Sequence, residues 1–323
     1  MDKSGPISAE HPIITGDYAV YTPPISEMVD TINRWVDQQV TGAYIYGASR
    51  FGKSRGVQYF VCDALREKFG DIAPLVVWLR RADSQLSEAS FWHALLLAGK
   101  FAFADPLKPP SRTKGQYLVY EMFVTLARSA RSNQVVLLID EAHDMTHKEW
   151  KWLVGLQNAL DWEHYRLSVI SVGSHQLNFQ PTSLGIAGNA HVAARFMMAH
   201  ERFRGIRSVE ESAFVLNGFD VDSEWPPGSG LSFLQYFAED DFRQGRRLAQ
   251  CAGDLWKALQ DLNPPGKVKA SEFPMWQIAT VAEDMLKALA SGEEWEKVVS
   301  YKNILLLLRR TGFSSHMENI SRP

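Results

Sequence analysis

The run Gly47-Ala48-Ser49-Arg50-Phe51-Gly52-Lys53-Ser54 follows G-x-x-x-x-G-K-S/T without substitution, and it constrains the fold more than any other stretch of the chain. Gly47 and Gly52 let the backbone wrap closely around a phosphate chain, with several N–H groups turned inward. In such a loop Lys53 reaches the β- and γ-phosphates and the Ser54 hydroxyl ligates Mg²⁺, with Ala48, Ser49, Arg50, Phe51 and Arg55 completing the cradle. The flanks agree with this reading. Tyr44-Ile45-Tyr46 reads as the end of a buried strand. Gly56 to Arg66 reads as a helix whose N-terminus faces the phosphates.

Further apolar runs alternate with helical patterns. Leu75–Leu79, Val135–Ile139 and Leu167–Val172 are continuous enough for strands buried on both faces. Between and after them, Ser87–Phe103, Gln116–Ser129 and Lys148–Leu160 carry helical periodicity, as does Ile25–Val40 before the first strand. A last strand is expected at Gly205–Val209. The pattern predicts an α/β fold, a parallel sheet with helices on both faces. The cluster Trp225-Pro226-Pro227-Gly228-Ser229-Gly230 then breaks the chain, and only helical patterns follow. The expected organisation is an N-terminal arm over 1–20, an α/β nucleotide-binding core over 21–224, a small all-helical lid with C-terminal helices over 231–310, and a flexible polar tail over 311–323.

Val135–Ile139 runs into Asp140-Glu141, an apolar strand ending in two carboxylates. Beside a phosphate loop this is the Walker B arrangement: Asp140 holds Mg²⁺, directly or through water, and Glu141 orients the attacking water. The strand Leu167–Val172 ends in Gly173-Ser174-His175-Gln176, where Ser174 is the first choice for a side chain that senses the γ-phosphate, with His175 and Gln176 behind it. Two arginine clusters, Arg195 with Arg202 and Arg204, and Arg243 with Arg246 and Arg247, offer cations for phosphoryl transfer. One cluster could reach a neighbouring subunit's nucleotide and the other fold down over its own, or these arginines could be surface residues paired with Asp240 or Glu239.

Net charge decides what kind of nucleic-acid contact is open. With 34 Lys and Arg against 37 Asp and Glu, the chain has no global attraction to DNA, so any contact must be a local basic patch. The candidates are Lys108, Arg112 and Lys114 in the loop 108–114, Arg80 with Arg81 after the second strand, and Lys148 and Lys151 beside Trp150 and Trp152. No base-reading motif accompanies them, so binding to double-stranded DNA would be sequence-independent. Cys62 and Cys251 lack metal-ligand spacing and read as buried reduced thiols. No apolar run reaches membrane-spanning length, and the polar N-terminus carries no signal-peptide core, so a cytoplasmic location is expected.

With these pieces together, the chain resembles AAA+ ATPases, and within them the TnsC/TniB group of transposition regulators related to MuB. The resemblance covers roughly residues 20–260. The narrower likeness rests on Tyr21-Thr22-Pro23, the Ser-Arg-x-Gly-Lys-Ser form of the phosphate loop, Val172-Gly173-Ser174-His175-Gln176, and Arg195-Phe196. It implies an ATP site shared between subunits, with Arg195 as a finger in trans and Arg202 and Arg204 in reserve. It also implies a sensor arginine on the lid, at Arg246 or Arg247, where the spacing departs from Gly-x-x-Arg. Proteins of this group form ATP-dependent rings or filaments on duplex DNA, mark an insertion target with a target-selection factor, and recruit or activate a transposase. Two other roles stay open on the residues alone: a signalling or defence ATPase switch, and a helicase-loader or chaperone-like adaptor.

Overall fold

The computed structural model describes residues 7–70, 72–81, 87–264 and 272–320. The chain divides into two compact units, one of residues 27–48 and 53–203, the other of residues 1–26, 49–52 and 204–323.

In the first unit, five strands, β1 Gly42–Tyr46, β2 Leu75–Leu79, β3 Gln134–Asp140, β4 Arg166–Gly173 and β5 Ala199–Arg202, form one sheet in the order β2-β3-β4-β1-β5. Every pairing is parallel. All of β3 is buried, as is β4 beyond Arg166, so helices cover both faces and the sequence must be apolar at successive positions. The register sets the C-terminal ends of β1, β3 and β4 side by side, with Tyr46 opposite Gly173 and Ile139 opposite Ser171. That end of a parallel sheet is where such folds bind ligands. Packing around the sheet is dominated by Phe91, Trp92, Phe123, Trp150 and Phe196, all buried.

β5 lies at Ala199–Arg202, ahead of the expected Gly205–Val209; Ile206 makes only an isolated bridge to Phe273. Its sequence, Ala-His-Glu-Arg, has no apolar run because it is an edge strand whose last three residues are exposed. The helix expected from Gln116 begins at Arg112, after Ser111, so Arg112 and Lys114 stand in its first turn and not in a loop. The helix His147–Trp162 starts in a capping box between Thr146 and Glu149 and turns Trp150 into the core, which removes Trp150 from any surface patch with Lys148 and Lys151.

The second unit is helical. Val209–Asp220, Ala252–Leu262, Met275–Ala290 and Tyr301–Arg310 enclose Phe219, Leu255, Val281 and Leu308. Because Val215, Leu216 and Phe219 join this core, the division falls at 203/204, ahead of the Trp225–Gly230 break. Residues 7–20 are not a free arm: a short helix, Pro12–Thr15, and Val20 put Ile13 and Val20 into the same core. The tail is also ordered. Phe313–Ile320 is a helix whose Phe313 and Met317, four apart, are buried; residues 1–6 and 321–323 lie outside the described residues. Both cysteines are buried and free. No helix among the described residues is long and apolar enough to cross a membrane.

Candidate nucleotide site

The phosphate loop leaves the C-terminal end of β1. Gly47 donates its N–H to the Gly173 carbonyl at 3.2 Å, and a Cβ at residue 47 would run into the Phe203 carbonyl, so only glycine fits. Farther on, Arg50 (φ 65°) and Gly52 (φ 109°) take left-handed backbone, which curls the loop. In the helical unit, to which residues 49–52 belong, the Arg50 carbonyl accepts from Trp276 N–H at 3.1 Å and its guanidinium lies 4.4 Å from the Trp276 ring centroid.

Lys53 begins the helix Lys53–Gly56, which continues through a π-helical turn, Val57–Val61, into Cys62–Phe69. Its side chain is 8% exposed, and Nζ donates to the Gly47 carbonyl at 2.9 Å and the Ala48 carbonyl at 2.7 Å. Burial lowers its pKa to about 8, against the pull of Glu141 and Asp140. The lysine therefore bonds to the loop carbonyls, inside the cradle expected for phosphate.

The two Mg²⁺-ligand candidates come together: the Ser54 hydroxyl hydrogen-bonds to the Asp140 carboxylate. Burial raises the Asp140 pKa, opposed by that bond, by the Glu141 N–H at 2.9 Å, and by Lys53 and His143. A hydroxyl and a carboxylate are hard oxygen donors of the kind Mg²⁺ takes, and Mg²⁺ keeps the rest of its shell for phosphate oxygens and water. The residues fit. Glu141 follows in left-handed backbone (φ 57°) with a 41% exposed side chain. At the end of β4, Ser174 caps the next turn by accepting from Gln176 N–H at 3.3 Å, and its own N–H reaches His143 Nδ1 at 3.3 Å. His175 packs edge-on to Tyr46, and Gln176 is exposed. His143 and Gln180, which bind the turn after Asp140, were not singled out in the sequence. Reading Asp140-Glu141-Ala142-His143 as one turn would have pointed to the histidine.

The arginines separate. Arg195 lies in the last turn of the helix Ala190–Phe196, at the opposite end of β1 from the phosphate loop: its carbonyl accepts from the Thr41 hydroxyl at 3.0 Å, and its Nη1 donates to Gln157 Oε1 at 3.2 Å. Arg202 ends β5 opposite Tyr46. Arg204, held in reserve as a finger, is buried and paired with Glu211 at 2.8 Å through both terminal nitrogens. Arg246 and Arg247 lie between two short helical segments. Gly245 (φ 80°) breaks the chain after Glu239–Arg243, and a 3₁₀ turn, Leu248–Cys251, precedes Ala252–Leu262. Arg246 pairs with Asp241 and Glu296, and Arg247 stacks 3.7 Å from the Phe242 ring centroid.

Among the DNA candidates, Arg80 is overturned. It is 2% exposed and forms a buried ion pair with Glu149 at 2.9 Å, leaving no charge for a phosphate backbone. Arg112 pairs with Glu88 at 2.9 Å but stays 71% exposed, and Lys108 and Lys114 are exposed. Arg55 bonds to the Tyr59 hydroxyl at 3.2 Å.

Residues 37–180 match the family model of an AAA domain. No curated protein is a significant match. Among solved structures, the fold is similar to the ORC2 protein of Aeropyrum pernix in its ADPNP–ADP complexes, at 10% identity and a TM-score of 0.60 over 93% of this chain and 71% of that one. It is also similar to a Walker-type ATPase of Pyrococcus abyssi (13% identity, TM-score 0.53, 92% of this chain and 75% of that one). The A. pernix ORC1 protein in complex with DNA compares at 13% identity and a TM-score of 0.51, over 93% of this chain and 69% of that one. At these identities the likeness is one of fold. Sheet order, phosphate loop, paired Ser54 and Asp140, and the matched domain lead to one conclusion: the chain is a P-loop ATPase carrying an AAA domain over residues 37–180.

Proposed function

We propose that this ATPase is an ATP-gated regulator of transposition that assembles on double-stranded DNA, marks a target site and recruits or activates a transposase, with hydrolysis taking the assembly apart. The observation that carries the reading is the place of Arg195. β1 has five residues, so Arg195 and the phosphate loop stand roughly 16 Å apart along the strand. That span is beyond the reach of an arginine side chain, which rules Arg195 out of its own site and supports the reading in which it serves a neighbour's nucleotide and a second copy completes each site.

In this reading Lys53 and the loop N–H groups bind the phosphates, Ser54 and Asp140 hold Mg²⁺, Glu141 orients the attacking water and Ser174 senses the γ-phosphate. The bound Mg²⁺ supplies neutralisation of charge on the phosphate oxygens. Arg246 or Arg247 contributes the lid cation. Arg195 from the next subunit meets the charge that develops in the transition state. Lys108, Arg112 and Lys114 contact the DNA backbone without reading bases. A DNA role is supported by the similar fold of the A. pernix ORC1 protein, solved with DNA.

The test is electron microscopy of the protein with a non-hydrolysable ATP analogue, with and without duplex DNA. Oligomers on DNA that need the nucleotide and weaken steeply with salt are expected. Protein that stays monomeric on duplex under these conditions would sink the proposal. Capture of a transposase, as against a replicative helicase, then separates target marking from helicase loading.

A further inference from the structure

One peptide group joins the phosphate loop to the turn that carries Glu141. The Gly173 carbonyl accepts from the Gly47 N–H at 3.2 Å, and the other end of that same peptide, the Ser174 N–H, donates to His143 Nδ1 at 3.3 Å. That ring nitrogen also stands 3.3 Å from Glu141 Oε2. The ring fits because residue 173 has no side chain: a Cβ there would sit 3.2 Å from both His143 Nδ1 and His143 N.

The backbone beneath the imidazole is pinned as well. The Gln180 amide donates toward the carbonyls of Ala142 at 3.4 Å, His143 at 3.0 Å and Met145 at 3.3 Å. Its oxygen accepts from the indole of buried Trp150 at 2.8 Å. A fixed turn thus carries an imidazole against a half-exposed carboxylate.

We propose that His143 is a positioning residue for ATP hydrolysis. It holds the Glu141 carboxylate in register with the peptide that anchors the first loop glycine, so the hydrogen bonds that shape the phosphate cradle also aim the water-orienting group. With its proton on Nε2 the ring accepts from Ser174; with the proton on Nδ1 it donates to Glu141. The form that donates to Glu141 is the one that restrains the carboxylate's rotamers, because an unprotonated Nδ1 turns a lone pair toward the Glu141 oxygen. Catalytic geometry displaced by about 1 Å costs on the order of a hundredfold in rate, so that restraint is worth having. The inference rests on the proposed role of Glu141.

The experiment compares the full chain with His143→Ala, His143→Asn and Glu141→Gln, measuring affinity for a fluorescent ATP analogue and steady-state hydrolysis. His143→Ala is expected to keep nucleotide affinity within about threefold and to lower kcat by about tenfold or more. His143→Asn supplies an amide oxygen near the Nδ1 position and an adjacent donor, and is expected to recover most of that loss. Equal thermal melts for the two variants separate positioning from folding. Wild-type kcat in His143→Ala, or affinity and kcat falling together in both variants, would overturn the inference. If Glu141→Gln turns over at the wild-type rate, the reading of Glu141 fails and takes this one with it. If Glu141→Gln is inactive while His143→Ala is unaffected, only the role of His143 fails.

Discussion

Lys53 is buried, with its ammonium bonded to the carbonyls of Gly47 and Ala48. Burial lowers its pKa to about 8 from a usual 10.5. Phosphates arriving at the loop favour the charged form, so above pH 8 nucleotide binding must take up a proton. Affinity is therefore expected to be level up to about pH 8 and to fall by up to about tenfold per pH unit beyond it. Calorimetry at pH 9 in two buffers of different ionisation enthalpy should show the uptake directly, and an affinity that stays level to pH 9.5 would reject the linkage. Lys53, Ser54 and Asp140 were legible in the sequence because phosphate and Mg²⁺ chemistry demand those residue types at those spacings. Arg80 was not, since an arginine after a strand reads the same whether it faces water or a partner such as Glu149, 69 positions along the chain. Arg204 hid its Glu211 partner in the same way, as only folding makes a seven-residue separation into an ion pair.

Among elements, the buried strands were legible because a strand covered on both faces has to be apolar at successive positions, as β3 is. β5 was not, because an edge strand can be polar. The two chain ends were misjudged for a related reason: a short helix buries its apolar residues in ones and twos, as Pro12–Thr15 and Phe313–Ile320 do. The N-terminal helix can be tested through His11. This residue caps Pro12–Thr15 by accepting from the Ile13 N–H at 3.1 Å, and its buried ring is surrounded by Trp225, Phe233, Tyr236 and Phe237. Burial lowers its pKa to about 4. Because the folded pKa lies below the unfolded value of 6.5, the unfolded chain binds more protons in between. The stability is present above pH 6.5 and lost as pH falls toward 4. Asp220 acts with the opposite sign. Its carboxylate accepts from the N–H groups of Leu248 and Ala249, and burial pushes its pKa up to about 6, so its contribution grows more favourable as pH falls from 6. His11→Asn keeps an acceptor for the cap and removes the titration. Relative to wild type it should gain roughly 2 to 3 kcal/mol between pH 7.5 and 4.5, read from denaturant melts. A constant difference between the two proteins across that range would show that His11 does not titrate in the folded core.

For the whole molecule, a net charge of −3 leaves any DNA contact to a local patch, and the proposed role of Arg195 requires a second copy of the chain. The patch followed from the charge count, but the choice of Arg195 as a finger in trans came only through resemblance, because neither a shared site nor a ring imposes a periodicity on one chain. The shared site makes a prediction that no monomeric mechanism reproduces. Arg195→Ala should fold normally and bind nucleotide but lose about a thousandfold in hydrolysis, the scale of a missing arginine finger. Glu141→Gln should be inactive for the other reason, with its own water unaimed and its arginine intact. In a head-to-tail assembly each site takes Glu141 from one subunit and Arg195 from the next. An equal random mixture of the two inactive proteins then holds intact sites wherever an Arg195→Ala subunit is followed by a Glu141→Gln subunit, about one site in four. Hydrolysis should return to about a quarter of the wild-type rate per site when the proteins are mixed before nucleotide and DNA are added. Dilution below the assembly threshold should abolish it again. Mixtures no more active than their components would place Arg195 outside the reaction, and its bonds to Gln157 and Thr41 would then be its whole role in the fold.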